Sequence, residues 1–180
     1  MIEEILSYNR KFVEENGYEP YLTSKYPNKK LAILTCMDTR LTELLPAALG
    51  IKNGDAKIIK NAGGVMVHPY GSVMRSMLVA ILELGVTEIM VIGHTDCGVQ
   101  GMDGRRMVEK LKERNISSEH IDIIRHRGIN LEAWLGGFES VDQSVKNTVE
   151  MLKTHPLMPA DIVIRGFIMD SETGALECLG

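Results

Sequence analysis

Three residues of the types that bind soft metal ions stand at two places in the chain. Cys36 begins the segment Cys36-Met-Asp-Thr-Arg40, and His94 and Cys97 bound the segment His94-Thr-Asp-Cys97. Thiolate and imidazole are donors that zinc prefers. A His-x-x-Cys spacing brings two donors to one ion from a tight turn, and the third must come from elsewhere in the fold. A Cys2His set leaves one tetrahedral position to water or to another residue, as catalytic zinc sites do and structural ones do not. Zinc lowers the pKa of a bound water to near neutrality and so makes a nucleophile of it. Asp38 is spaced to accept a hydrogen bond from that nucleophile, and Arg40 to hold Asp38 ionised. If the segment stays extended, residues 36, 38 and 40 share one direction.

Each fragment alone has an ordinary explanation. A single cysteine is most often a small core hydrophobe, which is the reading for Cys178. An Asp-x-Arg pair is usually a surface ion pair. It is the joint occurrence of Cys36, Asp38, Arg40, His94 and Cys97 that points to a metal. Paired C-x-x-C, H-E-x-x-H and deaminase signatures are absent. Two other readings of the same residues remain: a zinc-binding regulatory protein without turnover, and a Cys36–Cys97 redox pair.

The elements that must position these residues follow from hydrophobic patterning. Leu31–Thr35, Ala56–Lys60, Glu88–Ile92 and Asp161–Met169 read as strands, the first a buried apolar run. A short C-terminal strand follows Thr173-Gly174. Residues 1–15, 41–49 and 72–84 read as helices, the last apolar almost all round and so buried. Val141, Val145, Val149 and Leu152 mark a further helix stopped by Pro156. Residues 98–136 read as several short helices broken by glycines. Alternating strands and helices predict a single α/β domain over residues 1–180, with a mostly parallel sheet flanked by helices. Such sheets work at the carboxyl ends of their strands, where Cys36, the Asn61–Gly64 loop and His94–Cys97 all fall.

Composition narrows the function classes. A chain of 180 residues with net charge −4 is one ordinary globular domain and a poor nucleic-acid binder. No apolar run is long enough for a membrane span, and Met1–Arg10 offers no secretory signal. Three cysteines argue against a disulfide framework and for reduced thiols. A cytoplasmic location, with no nucleic-acid or membrane partner, is the expectation.

The two motif segments resemble the signature segments of the β-class carbonic anhydrases, and Lys60-Asn-Ala-Gly-Gly64 is similar to that family's Arg-Asn-Ala-Gly segment. The resemblance covers about residues 30 to 98, and Lys25–Lys30 lacks the glutamine of the plant-type branch. The chain therefore resembles the shorter prokaryotic, archaeal-like branch. The resemblance implies one zinc ion per chain on Cys36, His94 and Cys97, with Asp38 and Arg40 as the catalytic dyad. It implies reversible hydration of carbon dioxide to bicarbonate and a proton by zinc-bound hydroxide. It also implies a homodimer or higher homo-oligomer, with the helix of about residues 1–15 packing on a partner subunit.

Some relatives with this motif set hydrolyse carbonyl sulfide or carbon disulfide instead, and some hold the counterpart of Asp38 on zinc in an inactive state. Backbone N–H groups of Gly63 and Gly64 are candidate substrate donors, because glycine permits close approach; a tight turn explains the same glycines. His68 reads as a loop histidine or a proton shuttle. Asp96 reads as a local hydrogen-bond acceptor, Arg125–Arg127 as a solvated basic face, and His120, His126 and His155 as polar-surface residues without a role.

Overall fold

β1 (Leu31–Cys36) is buried from its second residue to its last, because it is covered on both faces. Successive side chains alternate between those faces. Ala32 and Leu34 enter one apolar cluster with Met74 and Met77 of α3 (Ser72–Leu82) and Val145 and Leu152 of α7 (Val141–Lys153). Ile33 enters the other, with Leu41 and Leu45 of α2 (Leu41–Ala48). The computed structural model describes residues 1–179.

β2 (Ala56–Asn61), β3 (Glu88–His94) and β4 (Val163–Met169) join β1 in parallel, and β5 (Leu176–Leu179) runs antiparallel to β4. The order is β2-β1-β3-β4-β5, so the expected mostly parallel sheet with a short C-terminal strand is what the chain forms. From β1 the chain goes outward to β2, then crosses back to place β3 on the other side of β1. The strand order therefore reverses between β1 and β3. That reversal opens a crevice at the carboxyl ends of these two strands, where ligands bind in open α/β sheets. Cys36 ends β1 and His94 ends β3.

After β3 the chain makes a helical excursion, α4 (Gly104–Glu113), α5 (Ser118–His126) and α6 (Leu131–Leu135). It has its own small apolar cluster of Val108, Ile121 and Leu131, with Leu135 against it. The N-terminal helix α1 (Ile2–Glu14) buries no residue of its own chain and leaves Ile2, Ile5, Leu6 and Val13 exposed. Among the described residues no helix is long and apolar enough to cross a membrane.

Three sequence expectations are corrected. Cys178 is exposed, because the short edge strand β5 is left uncovered on both faces at Glu177 and Cys178. Helix α3 buries Val73, Met74, Met77 and Ala80 but exposes Val79 and Leu82. It lies on the sheet with one face only, so apolar residues all round did not mean burial all round. His155 is buried rather than set in polar surroundings. Its ring is satisfied on both sides, by the Pro69 carbonyl at Nε2 and by the Leu157 N–H at Nδ1.

Candidate metal centre

The donor atoms of Cys36, His94 and Cys97 lie within 4.8 Å of one another, and all three residues are buried. The two sulfurs are 3.9 Å apart, and both cysteines are free thiols. Two sulfurs each ~2.3 Å from one tetrahedral zinc stand about 3.8 Å apart, so the spacing fits a shared ion. Burial pushes the Cys97 thiol above its usual range, and Cys36 beside it adds to the effect. A bound cation reverses that balance by stabilising both thiolates.

His94 is 1% exposed. Its Nδ1 lies 2.9 Å from the Thr95 carbonyl, an acceptor only, so Nδ1 carries the proton and donates it there. Nε2 is left with its lone pair, buried and without any hydrogen-bond partner, the single such side-chain atom among the described residues. A buried polar atom of this kind needs an explanation. A metal ion between Nε2 and the two sulfurs supplies it, with the Thr95 carbonyl fixing the tautomer and the ring. The donor set therefore fits zinc.

The turn that carries His94 and Cys97 is braced from β4. The Thr95 N–H donates to the Met169 carbonyl, and the Thr95 hydroxyl accepts from the Ser171 N–H. Across the crevice, the Thr35 hydroxyl donates to the Ile92 carbonyl and ties β1 to β3 one residue below the cluster.

Asp38 and Arg40 reach the same edge by a different path from the extended one expected. The chain leaves the strand after Cys36, and Arg40 already has helical backbone angles at the start of α2. The Asp38 carboxylate accepts the Arg40 N–H at 2.9 Å, a turn that Asp favours two residues before a backbone donor. The Arg40 side chain folds back, donating from Nε to Oδ1 at 3.0 Å and from Nη2 to Oδ2 at 2.9 Å. These bonds hold the Asp38 carboxyl well below its ordinary value of 3.8, at about 2, and push Arg40 further up. Asp38 Oδ2 lies 3.9 Å from His94 Nε2. The carboxylate thus borders the cluster while it is held by Arg40.

Gly63 and Gly64 sit in the turn after β2 with φ of +85° and +65°. Both are buried. A Cβ on Gly64 would meet the backbone of Thr35 and Cys36 at 2.9 Å. The glycine lets this turn lie directly on the end of β1, and the turn buttresses Cys36.

In front of the cluster lies an open cleft of ≈ 1100 Å³. One wall is the strand edge: Cys36, Asp38, Ala62, Val65 and Met66. Opposite it stands the helical excursion with its flanking segments, Met102, Met107, Trp134, Leu135 and Phe138, and α7 adds a polar side with Gln143, Ser144, Asn147 and Thr148. The excursion is thus a wall of the site. The sequence left that part open, because the apolar residues here are scattered between glycines. The role of Asp96 was missed: its carboxylate accepts from Arg40 Nη1 at 3.0 Å. His68 does not line the cleft; it is an exposed loop residue whose Nδ1 accepts the Tyr70 N–H. Arg125 is paired with Asp122 and Glu132.

As a whole the chain is similar to known carbonic anhydrases. A family model described as carbonic anhydrase matches residues 31–176. "Putative carbonic anhydrase YvdA" of Bacillus subtilis (strain 168) is 51% identical over 98% of this chain and 89% of that protein. A carbon disulfide hydrolase of Acidithiobacillus thiooxidans is 31% identical over 83% of this chain and 77% of its own length. The crystal structure of a β-carbonic anhydrase, isoform I, from Trichomonas vaginalis superposes with a TM-score of 0.88 at 34% identity, covering 99% of this chain and 96% of that one.

Proposed function

The chain belongs to the β-carbonic anhydrase family, and from that premise we propose that it catalyses the reversible hydration of carbon dioxide to bicarbonate and a proton. Cys36, His94 and Cys97 hold one zinc ion per chain, and Asp38 and Arg40 form the catalytic dyad. The observation that carries the reading is the pairing of Asp38 with Arg40 beside a buried histidine nitrogen that has no other partner.

Bound zinc supplies a Lewis acid that ionises water near neutral pH. Asp38 is ionised under those conditions and can only accept hydrogen bonds. It would accept a hydrogen bond from the attacking oxygen and so leave that oxygen's lone pair facing the carbon. Arg40 fixes the carboxylate and keeps it from rotating away. The apolar cleft walls at Val65, Met66 and Phe138 suit an uncharged substrate and disfavour its charged product. The N–H groups of Gly63 and Gly64 are the candidate donors to substrate oxygens.

Stopped-flow hydration on protein of verified zinc content, from about pH 6.5 to 9, tests the reading. Activity that rises with pH is expected. A threshold found only in alkali would instead mean that Asp38 leaves Arg40 for the metal at lower pH. A filled zinc site with no activity above buffer would overturn the reading. Asp38→Ala with zinc retained and hydration lost would separate an enzyme from a non-catalytic zinc protein.

The similarity to a carbon disulfide hydrolase supports a second reading, hydrolysis of carbon disulfide or carbonyl sulfide at the same centre. Comparing turnover of the three substrates on one preparation decides between them.

The exposed apolar face of α1 supports packing of that helix on a partner subunit of a homodimer or larger homo-oligomer. Removal of residues 1–15 is then expected to lower the sedimentation mass, and an unchanged mass would refute the packing.

A further inference from the structure

Arg40 is gripped from two sides. Asp38 takes the Nε and Nη2 edge of the guanidinium. On the adjacent edge, Nη1 donates to Asp96 Oδ2 at 3.0 Å and Nη2 donates to the Asp96 carbonyl at 2.8 Å. Asp96 lies between His94 and Cys97, inside the turn that carries them.

We propose that Asp96 is a positioning residue: it clamps Arg40 to the His94–Cys97 turn, so that Arg40 presents Asp38 to the cluster in one fixed orientation. This rests on the site reading given above. Asp38 and Arg40 are two residues apart on the same segment, so their pairing alone does not tie either to the end of β3. The contacts to Asp96 supply that cross-strand link. A guanidinium has five donors in a rigid planar fork, and carboxylates on two of its edges leave it little freedom to swing. The Arg40 side chain is 39% exposed and that of Asp96 is 87% exposed, so the pair adds little to stability. Its effect is on geometry.

Asp96 has φ +52°, and a left-handed turn is a sufficient reason for an Asp, Asn or Gly there. The decisive variants separate turn from clamp. Asp96→Gly keeps the turn and removes the carboxylate. Asp96→Asn keeps both the turn and an uncharged acceptor. In zinc-loaded protein, Asp96→Gly is expected to hold one zinc per chain with unchanged Tm. Its kcat is expected to fall about tenfold with KM little changed, because the dyad is misaligned. Asp96→Asn is expected to recover most of that loss.

A readout independent of turnover is the Arg40 Nε–Hε signal in nitrogen-15 NMR spectra, identified by its loss in Arg40→Lys. Faster solvent exchange of that proton in Asp96→Gly is expected. Unchanged exchange, together with wild-type kcat where the wild type is active, overturns the clamp. Zinc loss in Asp96→Gly also overturns it, since Asp96 would then support the ligand turn rather than Arg40. If the wild-type protein hydrates nothing, the proposed reaction fails, while the Arg40 exchange rate still decides the clamp.

Discussion

Helices α2 and α3 and helices α4 to α6 are held in place by different means. Neither α2 nor α3 has a side chain capping its N-terminus, and α2 even contains Pro46. Both lie on the sheet and bury leucines, methionines and valines in its two main clusters. The excursion helices have only Val108, Ile121, Leu131 and Leu135 to share. Each of them begins with a capping side chain instead: Asp103 accepts from the Arg105 N–H, Ser117 from His120, and Asn130 from Ala133. Where tertiary burial is large, local signals can be absent; where it is small, they carry the helix. The candidate metal cluster sits on the first kind of structure, and the outer wall of the cleft on the second.

The largest effect expected from breaking this division is at the strand edge. His94→Ala removes the ring whose Nε2 faces the sulfurs; zinc content is expected to fall toward zero and hydration to buffer background, as metal analysis and stopped-flow assay would show. Next comes Asp38→Ala, with zinc retained and kcat lowered roughly 10²- to 10³-fold.

In the excursion, Ile121→Ala empties a buried site and costs about 2–4 kcal/mol. Amide hydrogen exchange should accelerate over residues 104–135 while β1 and β3 stay protected. An equal loss of protection in the sheet would abolish the distinction between the two regions. Ser117→Ala is milder, about 1 kcal/mol, and confined to α5.

The smallest effect is in acid. Arg125 holds Glu132 below its ordinary 4.5, and Arg40 holds Asp38 at about 2. Both folded values are depressed, so each pair contributes fully above the unfolded pKa and is lost as pH falls through the folded one. Carboxyl-carbon NMR followed from about pH 6 down to 3 should show no midpoint for Asp38, and Glu132 still ionised below the ordinary glutamate value. A midpoint for Asp38 inside that range would mean that Arg40 does not hold it.

Much of the strand-edge region was legible because one pattern served two purposes. The apolar run Leu31–Thr35 marks a buried strand, and the residue that ends it is a ligand candidate. Glu88–Ile92 does the same for His94. The expected helices at residues 1–15, 41–49 and 72–84 stand within a few residues of α1, α2 and α3.

What was not legible depends on neighbours distant in sequence. The carboxylate of Asp96 meets Arg40 only because β1 and β3 are adjacent. The path of Arg40 departs from an extended one because the Asp38 side chain captures a backbone N–H and bends the chain. Cys178 is exposed because β5 is a short edge strand uncovered on both faces at its middle, and no local pattern states how well such a strand is covered. For the excursion a signal is present at Asp103, Ser117 and Asn130, but the glycines between them break the helical periodicity.

Trp134, the chain's only tryptophan, stands in α6 on the outer wall of the cleft, 61% exposed. Its fluorescence is thus a private reporter on that wall. A molecule settling in the cleft will alter the emission directly, whereas an event confined to the sheet will stay dark. In a denaturant titration the emission will follow release of the excursion, and far-ultraviolet circular dichroism will follow the whole fold. Separate midpoints for the two signals would give the optical signature of a protein that opens in two steps.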